Sequence, residues 1–145
     1  MKDIDQAVPD AAAFDRVLVA GLQRAVKHVV WATVLKARYE HRWQDRTGAT
    51  RESVKGSVRD NKRGAKGKIT AGENAARLNA GTKPHTITAV NAQYLRFQIG
   101  STVFFRRSVN HPGTAPDPFL DAADDAAGEE LAMAVEAAMD AALGG

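Results

Sequence analysis

The chain has 145 residues, 44% of them apolar, enough for one hydrophobic core and too few for two independent ones, so a single domain is expected. It contains no cysteine, which excludes a disulfide framework, a thiol nucleophile and any Cys-ligated zinc or iron–sulfur site, and which fits a reducing compartment. The formal charge of +3 conceals a steep gradient: residues 46–111 carry thirteen Lys/Arg against three Asp/Glu, whereas residues 112–145 carry eight Asp/Glu and no Lys/Arg. Such segments can pair within a subunit, pair head to tail between copies, or present the basic part to DNA.

Residues 1–9 include Asp3 and Asp5 and lack a long apolar run, so they read as a flexible N-terminus and not as a secretory signal. Pro9 and a candidate N-cap, Asp10, precede a long helix expected over residues 10–44. Its apolar stripe runs through Phe14, Leu18, Leu22, Ala25 and Val29, then Leu35, Tyr39 and Trp43. A helix of that length would extend roughly 50 Å, longer than a domain of this size is wide. Trp31 and Trp43 read as core residues. The most apolar stretch, Val17 to Leu35, is interrupted by Arg24, Lys27 and His28, so membrane insertion is not expected.

Gly48 reads as the stop signal of this helix. A basic, β-rich middle over residues 46–111 follows. Val54, Gly56 and Val58 alternate weakly, residues 60–68 (DNKRGAKGK) read as a mobile basic loop, and Lys68 to Ala71 reads as a return strand. Thr86–Val90, Tyr94–Ile99 and Thr102–Val109 carry strand signals, with Leu95, Phe97 and Ile99 alternating against Arg96 and Gln98 and a turn at Gly100 and Ser101. Pro112, Gly113, Pro116 and Pro118 then break regular structure. Asp117 is a candidate cap for an acidic C-terminal helix over residues 117–143, whose apolar side is marked by Phe119, Leu120, Ala123, Ala127, Leu131, Val135 and Met139.

Catalytic signatures are missing from the sequence. His28 and His41 lie thirteen residues apart without an HExxH pattern, and there is no GxSxG elbow, GxxxxGK[ST] loop or GxGxxG fingerprint. No enzyme activity, metal or cofactor is therefore expected. The single exception weighed is a metal or nuclease site at His85 and His111, which each adjoin a proline and could meet across the hairpin. Arg59, Lys62, Arg63, Lys66 and Lys68 suit a partner- or DNA-facing loop that neutralises phosphates without reading bases. A zinc finger is impossible without Cys, and the aromatic strands lack the RNA-recognition signature.

Residues 78–120 contain, in order, Gly81-Thr82, a Pro84-His85-x-Ile87 step, Leu95-Arg96-Phe97, an aromatic strand, and His111-Pro112-Gly113-Thr114 ahead of Pro118, Phe119 and Leu120. Upstream stand Arg46, Thr47 and Gly48, then Ser53 and Val54. Over roughly residues 46–130 this order resembles the head–tail joining and tail-completion family of long-tailed phages. The resemblance implies an α+β fold, with a long N-terminal helix and a C-terminal helix packed on a small antiparallel β-sheet. It implies a structural virion protein without catalytic residues, forming a homo-oligomeric ring, commonly of six, in the neck or at the head-proximal end of the tail. Head-closure or connector proteins and tail-tube or tail-terminator proteins would be its neighbours, and the host cytoplasm its place of assembly. Within the motifs Gly81 and Gly113 read as turns, Pro112 and Pro118 as stiffeners, and Phe119 as the anchor of the last helix; Gly48, Thr82, His85, His111 and Thr114 complete them. The basic stretch 60–68 and the acidic end depart from the family pattern. The alternative function is a nonspecific DNA-binding or packaging accessory protein.

Overall fold

Asp10 opens the first helix as its sequence position suggests, its carboxylate accepting a hydrogen bond from the Ala12 N–H at 3.1 Å. The computed structural model describes residues 10–144, so the expected flexible segment 1–9 lies outside the described residues. Helix α1 (Ala11–Tyr39) buries Ala25, Val29, Val30, Thr33, Val34 and Ala37. Trp31, expected in the core, is 54% exposed, because it lies on the flank opposite this stripe.

Helix α1 ends at Tyr39, five residues short of the expected boundary, and no glycine stops it. At Glu40 the backbone leaves helical geometry (φ −101°, ψ 74°), and the His41 ring bridges the Arg38 and Trp43 carbonyls, each at 3.0 Å. This turn stacks His41 on Trp43 at 3.6 Å and sets Trp43 edge-on against Phe119 at 5.6 Å. Burial of Trp43 in tertiary contacts thus outweighs another turn of helix. Gly48, expected as the stop, instead opens the short helix α2 (Ala49–Ser53) with φ +77°.

Strands β1 (Lys55–Asn61) and β2 (Gly64–Thr70) form a tight antiparallel hairpin. Residues 60–68, expected as a loop, are its tip and adjoining strand residues, closed at Lys62-Arg63 with the Arg63 N–H donating to the Asn61 side chain at 2.8 Å. The hairpin rests on α1 through its backbone: a Cβ at Gly67 would lie 2.5 Å from Val30 Cγ2, and one at Gly56 2.6 Å from Val30 Cγ1. Helix α3 (Glu73–Ala80), which has no counterpart among the sequence expectations, follows.

The next strands are β3 (His85–Thr88), β4 (Leu95–Ile99), β5 (Thr102–Arg106) and β6 (Ser108–His111), with β3 paired to β6 and β4 to β5, all antiparallel. Together they make one long arm. It begins at the Thr82–Thr114 bridge, runs through His85–His111 and Thr88–Ser108, and closes at Gly100-Ser101. Ala89 donates to the Arg107 carbonyl while Leu95 faces Arg106, so residues 90–94 bulge from one strand without a partner opposite.

Helix α4 (Phe119–Leu143) returns along α1 and packs extensively on it. Gly21 permits that approach, since a Cβ there would sit 2.9 Å from Ala138 Cβ. Asp117, expected as the cap of α4, is engaged elsewhere; the Asn79 side chain of α3 accepts the Leu120 N–H at 2.9 Å instead. The fold is α+β, with α1 lying between α4 and the β1–β2 hairpin. The tightest core, Ala37, Val54, Ala75, Phe119 and Ala123, sits where α1, α2, α3 and the start of α4 converge, directly beneath the root of the arm. Among the described residues no helix is long and apolar enough to cross a membrane.

Candidate functional site

Two glycines make the arm's root possible. Gly113 (φ +88°) brings the backbone so close to the opposite strand that a Cβ would lie 2.3 Å from the Thr82 carbonyl oxygen. Gly81 (φ +72°) would likewise place a Cβ 2.7 Å from the Thr114 carbonyl oxygen. Between them Thr82 and Thr114 exchange backbone hydrogen bonds of 2.9 and 3.0 Å, and the Thr82 hydroxyl accepts a further bond from the Thr114 N–H at 3.0 Å. The motif glycines and threonines therefore meet in one backbone clasp. Pro112 and Pro118 flank it, and Phe119, 4% exposed, fixes the following helix into the core.

His85 and His111 face each other directly across β3–β6, with ring centroids 5.1 Å apart. His111 Nδ1 accepts the Gly113 N–H at 3.1 Å, which ties it to the clasp, and His85 Nδ1 lies 2.9 Å from the Lys83 carbonyl. Among the described residues no third His, Asp or Glu joins them in a group able to hold a metal. Their positions are those of a cross-strand pair bracing the arm.

Asp117 locks the arm's exit to the end of α1. Its carboxylate accepts the Arg42 N–H at 2.6 Å and the Arg42 side chain at 3.4 Å, while its own N–H donates to the Leu78 carbonyl at 3.0 Å. Partial burial pushes its pKa up, but the Arg42 hydrogen bonds and charge, with a contribution from the Trp43 backbone, outweigh it and hold the carboxyl below its ordinary value.

Three surfaces stand out around this root. The first is basic. In the register of the hairpin Arg59 faces Lys66 and Ser57 faces Lys68, all on the side away from Gly56 and Gly67 and hence away from α1. Lys55 shares that face, an addition its strand position explains and that sequence reading missed. Lys62 and Arg63 crown the turn, and all six cations are exposed. Asp60 is taken by Lys27 at 2.7 Å, so among the described residues none of these six cations forms an ion pair.

The second surface is acidic. Helix α4 carries seven Asp/Glu and no Lys/Arg. Glu130 pairs with His28 at 2.8 Å, but Asp124, Asp125, Glu129, Glu136 and Asp140 form no ion pair among the described residues. The third is the arm itself, which is apolar on both sides. Leu95, Phe97, Phe104 and Ile99 share one face, with Phe97 stacked on Phe104 at 5.6 Å, and Val103 and Phe105 share the other. Neither face packs extensively on a helix. A two-stranded ribbon of this kind is marginal in water on its own.

No protein-family model, curated protein or solved structure matches the chain.

Proposed function

We propose that the chain is a ring-forming structural subunit of a tailed-phage particle, at the head–tail junction or the end of the tail. The observation that carries this reading is the geometry of the unpaired surfaces. The cations of the β1–β2 hairpin and of the arm, and the carboxylates of α4, lie on different elements, so each copy offers both signs to its neighbours. A head-to-tail contact repeated around an axis uses both at once and closes into a ring. The arm adds a ribbon of apolar side chains uncovered within its own subunit. The order of motifs over residues 46–130 supplies the phage context, and with it a ring of six, a place in the virion after assembly in the host cytoplasm, and connector and tail proteins as neighbours.

The test is the mass of the purified chain, measured by light scattering behind a sizing column across a salt series. The expected result is a multiple of the monomer at low salt that falls as ionic strength rises and the paired charges are screened. A mass equal to the monomer's throughout would refute the reading.

One observation favours a second reading, a DNA-binding or packaging accessory: the six exposed cations of β1–β2 are free to neutralise phosphates. A gel-shift titration on duplex of arbitrary sequence separates the two. Retention that falls steeply with salt supports the second reading, and free DNA at physiological salt refutes it.

A further inference from the structure

The flank of α1 turned away from its hairpin carries a row of large side chains one helical turn apart: Trp31, Leu35 and Tyr39, which are 54%, 55% and 64% exposed. Leu35 and Tyr39 of this row line a groove of about 510 Å³ whose far wall is α4, formed there by Ala123, Ala126 and Glu130. Alanines make that wall shallow, and the row stays exposed, although the Arg51 guanidinium lies over the Tyr39 ring at 5.5 Å. An exposed apolar patch of this kind beside polar residues marks an interaction site.

Resting on the ring reading above, we infer that the groove receives the arm of a second copy of this chain. Charge selects the occupant. The arm, residues 82–114, carries Lys83, Arg96, Arg106 and Arg107 and no acidic residue. The groove is lined by Lys36, Glu40 and Glu130; Lys36 and Glu40 neutralise each other in an ion pair, which leaves the excess charge of the lining negative at Glu130, the partner of His28. A second cleft, over α1 between β2 and α4, is lined by Lys66, Lys68 and Asp124, so its excess charge is positive and disfavours the same arm. The apolar partners also match in kind: Val103 and Phe105, which share one face of the arm, are 37% and 54% exposed. The arm does not pack on its own α1, so it serves the groove of a neighbour. Each copy gives one arm and receives one, which is the heterologous contact a ring requires.

Two double variants test this by mixing. Val103→Thr with Phe105→Thr removes the apolar contacts of that face of the arm, and Leu35→Ala with Tyr39→Ala removes those of the groove; all four side chains are exposed, so the body should fold in both. Light scattering on each variant alone should read a monomer, with assembly weakened about a hundredfold or more, as expected for loss of two large contact residues. Mixed, the intact arm of one should dock in the intact groove of the other and read as a dimer that grows no further. As a second measurement, the Cys-free chain carrying both Leu35→Cys and Phe105→Cys should, on mild oxidation, form a ladder beyond the dimer on a non-reducing gel; single-Cys chains stop at the dimer. If the parent assembles and both double variants assemble equally well, or the two-Cys chain forms no ladder, the docking is wrong and the ring reading stands. If the parent itself is a monomer at every concentration, both fall.

Discussion

Replacing Gly67 by Ala tests the packing of the β1–β2 hairpin on α1. The added methyl would lie 2.5 Å from Val30 Cγ2 and 3.2 Å from Val26 Cγ1, whereas carbon atoms rest comfortably at about 3.5–4.0 Å. The hairpin must lift or Val30 must leave its position, an overpacking cost of about 1–3 kcal/mol. Alanine returns about 0.5–1 kcal/mol of backbone entropy relative to glycine, so a net loss of up to about 2.5 kcal/mol, about 1 kcal/mol at the middle of the two ranges, is expected. Equilibrium urea unfolding followed by helical circular dichroism measures it, and a chain of this size should also lose about 2–4 °C in Tm for each kcal/mol. Gly128→Ala is the control: that glycine lies inside α4 with open space around it, so the same substitution should stabilise by up to about 1 kcal/mol. Combining Gly67→Ala with Val30→Ala should cost less than the two single changes added together, by about 0.5 kcal/mol or more. A Gly67→Ala variant more stable than the parent, as Gly128→Ala should be, would refute the backbone-to-helix contact.

Phe119→Ala should be the most damaging single truncation, at about 3–5 kcal/mol in the same unfolding assay, because Phe119 joins the start of α4 to Trp43, Val54 and Ala123. Asp117 gives a pH signature. Its folded pKa is depressed, so its contribution is complete above the unfolded value of about 3.9 and is lost as pH falls through the folded one; Asp117→Asn should flatten the stability profile in that acid window. Changing Arg63, Lys66 and Lys68 to Ser should move stability by no more than about 0.5 kcal/mol, since all three are exposed and unpaired, while making assembly less sensitive to salt; unfolding of that variant would show the hairpin tip to be structural.

Local pattern and tertiary context divide the legibility of this fold. Helix α4 ends at Leu143 as its apolar stripe indicates but begins at Phe119, two residues after the expected boundary, and the strands of the arm follow the alternation of Leu95, Phe97 and Ile99. That alternation identifies an apolar face and says nothing of what covers it, which is why an arm reads as part of a sheet beneath the helices. The glycines of the basic stretch read as loop formers because flexibility is their common use; here Gly67 serves as a gap for Val30, a partner 37 positions away in the chain. Helix α3 is flanked by Gly72 and Gly81, but it has only eight residues and few of them are apolar, so the sequence gives little sign of a helix there. The early end of α1 and the diversion of Asp117 to Arg42 both depend on contacts between distant segments, which no window of sequence contains.

The site shows the same division. Gly81, Thr82, Gly113 and Thr114 stand out in the sequence as a motif, and the structure joins them in the clasp at the root of the arm. The cations of residues 59–68 were evident from composition, yet their common outward face, and the membership of Lys55, emerge only from the strand register. The row of Trp31, Leu35 and Tyr39 was hidden because large apolar residues on a helix suggest a core by default, and α1 has its core on another flank.

Electron microscopy of the purified chain, negatively stained at low salt and again at high salt, tests the central claim most directly. Closed annular particles of constant copy number with a central opening, dispersing as salt rises, are the predicted result. Isolated monomers, or open filaments of indefinite length, would contradict it.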